Sequence, residues 1–205
     1  MDFSARLFRL FVPSAVYEMD DGHVHLTFDD GPHPTATPEV LAELRRAGVR
    51  ATFFVTGARV RELPDIARRV IQDGHSIGNH AFHHRNLFFQ SSVHVRREVE
   101  ECNQAIFDAT GFTPTLFRPP FGYAHERLAG VVRSMGMRIV QWSHDVRDFT
   151  GKVDADSMHR VALRTRNGAI LLLHDNDATA TLVHSYVPLI IRLLRERGFT
   201  LSALT

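Results

Sequence analysis

The chain alternates segments that favour β-strands with segments that favour amphipathic helices. Residues 169–173 are five consecutive apolar residues, which is typical of a strand buried on both faces. Alternation of strands and helices indicates a parallel sheet covered by helices, and hence an α/β fold. The pattern predicts seven strands, at residues 23–28, 51–56, 75–78, 116–118, 137–142, 169–173 and 199–201.

The predicted helices have recognisable ends. Thr37 followed by Pro38 is typical of a helix N-terminus, and Gly48 is typical of the position after the last turn. Pro64 opens the next helix and Gly74 closes it in the same way. The predicted helices cover residues 37–48, 64–74, 92–109, 126–134, 156–166 and 182–197.

Two arrangements of such a sheet are possible, an open doubly wound sheet or a barrel. No Gly-x-Gly-x-x-Gly pattern follows the first strand, which disfavours a dinucleotide-binding sheet. A barrel gathers the C-terminal ends of its strands into one ring, where barrel enzymes carry their sites. We therefore predict an irregular seven-stranded, TIM-barrel-like (β/α) barrel, because polar residues follow several strands: Asp29, Asp30, His80, His84, Arg118, Asp145, Asp148 and His174.

Composition narrows the function classes. A length of 205 residues suits one domain with a substantial core. The net charge of +1, without a long basic block, argues against a nucleic-acid partner. Cys102 is the only cysteine, which excludes an intrachain disulfide and a zinc–thiolate cluster. No apolar run is long enough for a membrane span.

The N-terminal residues 7–12 are mostly apolar but are interrupted by an arginine. We expect residues 1–22 to form a segment that packs on a catalytic domain of residues 23–205, with a contact to a membrane surface as the alternative. The run is short for a signal-peptide core, so the chain as given is expected to be cytoplasmic. A leader removed earlier would instead place it outside the cytoplasm. Nothing in the sequence indicates an oligomeric state.

Two adjacent carboxylates, Asp29 and Asp30, stand where the first strand ends in a Gly-Pro turn. Like charges this close favour a neighbouring metal ion or arginine. His80 and His84 are four residues apart and share a face if their segment is helical or tightly turned. Together with one of the two carboxylates they predict a site for Zn²⁺, or for another first-row ion such as Co²⁺ or Ni²⁺. An exposed Asp-Gly turn is the alternative.

Other histidines compete for this role. His83 and His75 lie near the pair, but at poorer spacing for sharing an ion with it. For six further histidines we expect solvated or core positions: His23, His25, His94, His125, His159 and His184.

Acid–base residues complete the pattern. The carboxylate of the Asp-Asp pair that does not bind metal would act as a general base. Arg118 could tether it, or form an ordinary salt bridge at a strand end. His174 is suited to protonate a leaving group, with Asp145 or Asp148 as its partner. A metal, a base and an acid together describe hydrolysis of an amide or ester.

Five segments in order carry a resemblance to a known family: residues 27–32, 74–84, 118–122, 145–149 and 171–175. Over about residues 23–202 the chain resembles the polysaccharide deacetylases of carbohydrate esterase family 4, which share the nodulation-protein-B homology domain. The resemblance implies that Asp29 is the base and that Asp30, His80 and His84 bind the metal. It also implies that Arg118 tethers the base.

The resemblance assigns roles to the remaining motif residues. The backbone N–H of Phe121 helps to hold the oxyanion, Asp148 tunes the acid His174, and Leu172 lines the pocket for the acetyl methyl group. Phe121 stands where tyrosine is commoner in the family. Phe149 stands where tryptophan is commoner, which reshapes the methyl pocket.

The implied function is zinc-dependent removal of acetyl groups from N-acetylglucosamine-type residues of peptidoglycan or chitooligosaccharide. This is hydrolysis of a linear, non-peptide amide, and the implied partner is the N-acetylated carbohydrate substrate. Two alternatives remain. One keeps the site but hydrolyses another C–N bond, in an acetylated polyamine or a cyclic imide or ureide. The other is a carbohydrate-binding relative without turnover.

Overall fold

Seven parallel strands form the centre of the computed structural model, which describes residues 1–205. The strands are β1 (His25–Asp29), β2 (Thr52–Val55), β3 (Ser76–Asn79), β4 (Leu116–Phe117), β5 (Arg138–Ile139), β6 (His144–Asp145) and β7 (Ile170–His174). Three of them, β4, β5 and β6, are only two residues long.

Eight α-helices surround the sheet. None of them combines the length and the apolar composition needed to cross a bilayer. They are α1 (Phe3–Phe11), α2 (Ala36–Ala47), α3 (Gly57–Glu62), α4 (Pro64–Gln72), α5 (Ser92–Thr110), α6 (Glu126–Arg133), α7 (Ala155–Arg164) and α8 (Val183–Glu196).

The sheet has the order β5-β4-β3-β2-β1-β7-β6 and curls into an incomplete barrel, which confirms the predicted α/β barrel fold. Its two edges, β5 and β6, are not paired with each other. N-terminal residues lie across this open side. Val16 forms a bridge with Val140, directly after β5, and the Asp2 N–H donates to the Ser143 carbonyl, directly before β6.

Strand β7 shows why its sequence is continuously apolar. Leu171 and Leu173 belong to the core cluster that includes the inward side chains of α2 and α8. Ile170 and Leu172 belong to a second cluster on the opposite face, together with Trp142. Successive side chains of a strand point to opposite faces, so a sheet buried on both sides needs apolar residues at every position.

One predicted strand is not a strand in the structure, and one strand and two helices, α1 and α3, were not predicted. Residues 199–201 were predicted as the seventh strand, but they make only one bridge, from Leu201 to Val24, because they reach the sheet before β1 begins. The seventh strand is β6, where His144 pairs with Leu171. A strand this short carries no periodic signal, so the sequence did not reveal it.

The register of the strands determines which site residues lie next to each other. Asp29, the last residue of β1, is paired with His174, the last residue of β7. On its other side Asp29 is paired with Phe54 of β2. Asn79 ends β3 next to Phe117 of β4, so the residues that follow these two strands emerge at the same edge of the sheet.

Candidate active site

The Asp29–Asp30 turn directs two neighbouring carboxylates into one cavity. Side chains of adjacent strand residues normally point to opposite faces. Asp30 avoids this because its backbone adopts a left-handed conformation, with φ of 82°. The following Gly31 donates its N–H to Asp175 Oδ1 at 3.1 Å, and a Cβ at Gly31 would lie 2.4 Å from Asp175 Oδ2. The turn therefore depends on a glycine packed against a buried aspartate.

Asp30, His80 and His84 come together as a potential metal triad. One ligand atom from each lies within 4.8 Å of the other two. His84 Nε2 is 3.1 Å and His80 Nε2 is 3.5 Å from Asp30 Oδ1. Donor atoms around tetrahedral zinc lie about 3.4 Å apart, so the spacing and the N₂O donor set both fit such an ion. Asn176 Nδ2 donates to Asp30 Oδ2 at 2.8 Å and orients the carboxylate.

The segment that carries the two histidines is a turn and not a helix. Ala81 and His84 both have left-handed backbone conformations, with φ of 64° and 51°. Asn79 Oδ1 accepts the Ala81 N–H at 2.7 Å, which fixes the start of the turn. The tightly turned form of the predicted pair is therefore the one that the structure contains.

His80 is oriented by a backbone carbonyl. Its Nδ1–H donates to the Arg118 carbonyl oxygen at 2.7 Å, which directs Nε2 toward Asp30. Burial of Asp30 would raise the pKa of its carboxyl. The hydrogen bonds from His80 and His84 outweigh burial and hold that pKa well below its ordinary value.

Arg118 anchors Asp29 inside the protein. Its side chain is fully buried, and Nη1 donates to Asp29 Oδ1 and to Thr27 Oγ1, each at 2.7 Å. Its other nitrogens donate to two backbone carbonyls. Asp29 Oδ2 accepts no hydrogen bond and lies 3.7 Å from His80 Nε2. One oxygen of Asp29 is thus held by Arg118, while the other is free beside the triad.

His174 is paired with Asp148 on the opposite wall of the cavity. His174 Nδ1–H donates to Asp148 Oδ1 at 2.7 Å, and the His174 backbone N–H donates to Oδ2 at 2.8 Å. The Tyr186 hydroxyl donates to the same oxygen at 2.9 Å. Burial of the ring would lower the pKa of His174, but the hydrogen bond and charge of Asp148 raise it to about 9.

Asp145, the other candidate partner of His174, is placed differently. Its Oδ1 accepts the Arg147 backbone N–H at 2.7 Å, and it makes no hydrogen bond to the His174 ring. Asp145 still lines the cavity, and burial raises its pKa to about 6.

The cavity measures about 310 Å³. Leu172 lies on its wall, and the Phe149 ring stands edge-on to His174 with centroids 5.5 Å apart. Phe121 has a left-handed φ of 60°, its ring lies 4.6 Å from that of His84, and its N–H donates no hydrogen bond within the protein. The sequence-predicted residues at the rim therefore share one cavity with the triad.

Four residues of the cavity wall were not predicted as site residues, and one of them, Gly122, directly follows Phe121. Trp142 follows β5, and Ser4 and Phe8 come from α1. The Phe8 ring packs edge-on against Trp142 with centroids 5.5 Å apart. No spacing rule links α1 to the strand-end motifs, so the sequence carried no signal for this contact.

Glu98 of α5 is a further residue of the site that was not predicted from the sequence. Its buried Oε2 accepts the backbone N–H groups of Phe82 and His83, at 3.1 and 2.9 Å. Its Oε1 accepts His83 Nδ1–H at 2.8 Å, so His83 pairs with Glu98 and not with the triad. The signal was available, because Glu98 interrupts the apolar stripe between Val95 and Cys102.

The remaining histidines lie outside the triad. His75 is buried before β3 and its Nδ1 accepts the Ala51 N–H. His25 is fully buried and its Nε2 lies 3.2 Å from Asp21 Oδ1, an acidic partner four residues away that the sequence analysis overlooked.

Left-handed backbone at residues other than glycine is concentrated at this site. Such conformations cost about 1–3 kcal/mol each and persist where the surroundings enforce them. All five instances fall in four of the five motif segments: Asp30, Ala81, His84, Phe121 and Arg147.

The sequence profile of the polysaccharide deacetylase family matches residues 17–140. This chain belongs to the polysaccharide deacetylase family. The match begins before β1 and ends just after β5, so it contains Asp29, Asp30, His80, His84 and Arg118.

Two curated members of the family illustrate the sequence similarity. The peptidoglycan-N-acetylglucosamine deacetylase PgdA of Listeria monocytogenes is 36% identical over 168 residues, which is 82% of this chain and 35% of the Listeria enzyme. The chain thus spans about a third of that relative's length. The chitooligosaccharide deacetylase of Azorhizobium caulinodans is 34% identical, over 88% of this chain and 92% of its own length.

A solved structure of the family gives a useful contrast. A family 4 carbohydrate esterase pseudoenzyme from Bacillus anthracis has a TM-score of 0.85 and 26% identity, over 94% of this chain and 68% of its own. A mutant of the same protein, described as having restored enzymatic activity, has the same TM-score. The fold alone therefore does not distinguish an active member from an inactive one, and the side chains of the site must do so.

Proposed function

We propose that this chain is a metal-dependent hydrolase that removes acetyl groups from N-acetylglucosamine-type residues of peptidoglycan or chitooligosaccharide. The observation that carries this proposal is the cavity itself. The Asp30, His80 and His84 triad lies beside the free oxygen of Asp29 and faces the same space as His174. The names of the Listeria and Azorhizobium relatives support the substrate class.

The triad would hold the metal, with Zn²⁺ as the first choice and Co²⁺ or Ni²⁺ as alternatives. Two imidazoles and one carboxylate suit these ions. When bound, such an ion polarises a carbonyl oxygen and lowers the pKa of water. Asn176 and the Arg118 carbonyl support the proposal, because they hold Asp30 and His80 in position for one ion.

Asp29 would act as the general base. Arg118 binds Oδ1 and favours the ionised carboxylate, while Oδ2 remains free to take a proton from the attacking water. The other hydrogen bonds of Arg118, to Thr27 and to two backbone carbonyls, fix the guanidinium that holds Asp29.

The rim residues would recognise the acetamide. The Phe121 N–H has no partner within the protein, and we assign it to the negative charge that develops on the carbonyl oxygen during attack. Leu172, Phe149 and Trp142 supply apolar wall next to the catalytic groups and would contact the acetyl methyl group.

His174 would act as the general acid. With its pKa raised to about 9, the ring is protonated at neutral pH, and Asp148 fixes Nδ1 so that Nε2 is the atom that carries the transferable proton. That proton goes to the amide nitrogen as the C–N bond breaks. The products are acetate and a free amino sugar.

We also propose that residues 23–205 form the catalytic domain and residues 1–22 a segment packed on it. The contacts of Asp2 with Ser143 and of Phe8 with Trp142 support this division.

The test is acetate release from chitooligosaccharides and from peptidoglycan, before and after chelation and after Zn²⁺ is added back. Asp29→Asn and Asp30→Asn form a matched pair. We expect the first to lose turnover by about 10²- to 10⁴-fold while zinc remains bound, and the second to lose both turnover and zinc. A fully active Asp29→Asn variant would refute the assignment.

The alternatives give different results in the same assays. Hydrolysis of an acetylated polyamine or a cyclic imide, without acetate release from either glycan, would identify another C–N bond as the substrate. Glycan binding without metal-dependent hydrolysis would identify a non-catalytic relative, like the pseudoenzyme of the same fold.

A further inference from the structure

Helix α1 exposes an apolar face to solvent. Phe3 is 82% and Leu10 is 78% exposed, and Leu7 between them is also exposed. The opposite face of the helix packs on the domain through Ala5 and Phe8. Contiguous apolar side chains of this kind mark sites of association on a protein surface.

Neighbouring elements extend this face with arginines. Arg6 and Arg9 of α1 and Arg164 of α7 line a groove of about 970 Å³ between the two helices, and Arg166 lies directly after α7 in the same groove. Leu163, 71% exposed, adds an apolar side chain at its edge. We call this surface, made by α1, the C-terminal end of α7 and Arg166, the α1–α7 face.

Four arginines and only two carboxylates, Asp2 and Glu18, line the groove of the α1–α7 face. None of the four forms a salt bridge or donates a side-chain hydrogen bond, whereas Arg46 of α2, Arg68 of α4 and the arginine pair of α5 each lie close to a carboxylate of their own helix. On α5, for example, Arg96 lies 3.7 Å from Glu100 and Arg97 lies 3.4 Å from Glu101. The net charge of +1 therefore conceals a local excess of positive charge.

His144 is buried beneath this face, close to its charged groups. The pKa of His144 is lowered to about 4, first by burial and then by the N-terminal amine, Arg164 and Arg166. Asp2 is the nearby carboxylate that opposes this effect. Its two oxygens already accept N–H groups from Ala5 and Asp145, so it is engaged within the protein.

We propose that the α1–α7 face docks on the surface of a lipid bilayer with anionic headgroups. Exposed aromatic and leucine side chains can enter the headgroup boundary, and the four arginines complement its negative charge. A soluble polyanion would use the arginines but not Phe3 and Leu10. A second copy of the chain would bring two sets of four arginines without salt bridges into one two-fold interface, and the repulsion of like charges disfavours this arrangement.

The face is continuous with the rim of the catalytic cavity. Ser4 of α1 and Phe149 line both that cavity and a second groove of about 620 Å³, which Phe3 of the α1–α7 face also lines. Docking would hold the cavity mouth close to the bilayer surface. The inference does not depend on the proposed hydrolysis, because it concerns binding alone.

Vesicle sedimentation of the full chain tests the proposal. Vesicles of phosphatidylcholine are compared with vesicles that contain phosphatidylglycerol, at low and high salt. We expect binding to the anionic vesicles only, with a decrease as salt increases. The variant Arg164→Gln/Arg166→Gln should bind roughly 25-fold more weakly, since each arginine near an anionic surface contributes roughly fivefold. Phe3→Ser/Leu10→Ser should lose at least about tenfold.

The matched controls are Arg96→Gln/Arg97→Gln and Val93→Ser, which alter exposed arginines and an exposed apolar residue on α5. Both should bind as the wild type does. The proposal would be overturned if the control variants weakened vesicle binding as much as the variants of the α1–α7 face do. It would also be overturned if the wild type did not bind anionic vesicles. Heparin binding that survives Phe3→Ser/Leu10→Ser while vesicle binding is absent would indicate a soluble polyanion. A dimer that this variant dissociates, in light scattering, would indicate a second copy.

Discussion

The Nδ1–H of His174 donates a 2.7 Å hydrogen bond to Oδ1 of Asp148, a carboxylate that solvent does not reach. Asp148 accepts two further hydrogen bonds and cannot turn away. The pairing fixes both the orientation of the imidazole ring and its protonation state.

Replacement of Asp148 by asparagine tests this pairing. Without the carboxylate charge the pKa of His174 falls from about 9, so the protonated ring is lost at a lower pH. We expect the alkaline limb of the kcat profile to move to lower pH and kcat to fall about 10²-fold or more. Asp145→Asn is the comparison, because Asp145 makes no hydrogen bond to the ring. An unchanged limb in Asp148→Asn, or an equal shift in both variants, would contradict the pairing.

Arg118→Met tests the buried ion pair with Asp29. The substitution leaves a buried carboxylate without its partner, so we expect the free energy of unfolding to fall by about 3–5 kcal/mol. Arg133→Met is the control, since Arg133 and Glu126 form an exposed pair and its loss should cost less than about 1 kcal/mol. Urea unfolding measures both. An equal decrease in the free energy of unfolding in both variants would show that the buried ion pair stabilises the protein no more than the exposed one.

Gly31→Ala tests the packing under the Asp29–Asp30 turn. The new Cβ would lie 2.4 Å from Asp175 Oδ2, and Asp175 is held by Thr37 Oγ1 at 2.5 Å. We expect a loss of about 1–3 kcal/mol in thermal or urea unfolding. Gly130→Ala is the matched control, because nothing lies within 4 Å of its Cβ position in α6 and alanine should stabilise the helix by about 0.5–1 kcal/mol. Increased stability in both variants would show that the Asp29–Asp30 turn adjusts to the added methyl group without cost.

Glu98→Gln tests the support of the turn at residues 80–84. Glutamine keeps one oxygen acceptor but replaces the other with a donor, so either the backbone N–H groups or His83 lose their partner. We expect zinc affinity to fall about tenfold in a competition titration, with a smaller change in stability. Glu101→Gln, on the exposed side of α5, should leave affinity unchanged. Unchanged affinity in Glu98→Gln would limit Glu98 to a structural role.

The elements with a periodic pattern of apolar residues could be predicted from the sequence. The fully apolar β7 and the positions of Asp29, Arg118 and His174 at strand ends follow from periodicity, and the barrel follows from where those ends must meet. The final strand was wrong and β6 was missed, because pairing over one or two residues depends on tertiary contacts and leaves no pattern in the chain.

The local geometry of the site lay beyond sequence rules. The side chains of two adjacent aspartates point into one cavity only because the backbone of Asp30 is left-handed. The presence of an aspartate does not by itself predict that conformation. The support from Asn176 and Glu98 requires knowledge of which elements pack together. Glu98 was detectable as a charge within an apolar stripe, whereas Asn176 was not.

Helix α1 has an evolutionary consequence. Ser4 and Phe8 form part of the cavity wall, yet they precede residue 17, where the family profile begins. Substitutions at Ser4 or Phe8 can therefore reshape the cavity wall while every motif residue stays unchanged.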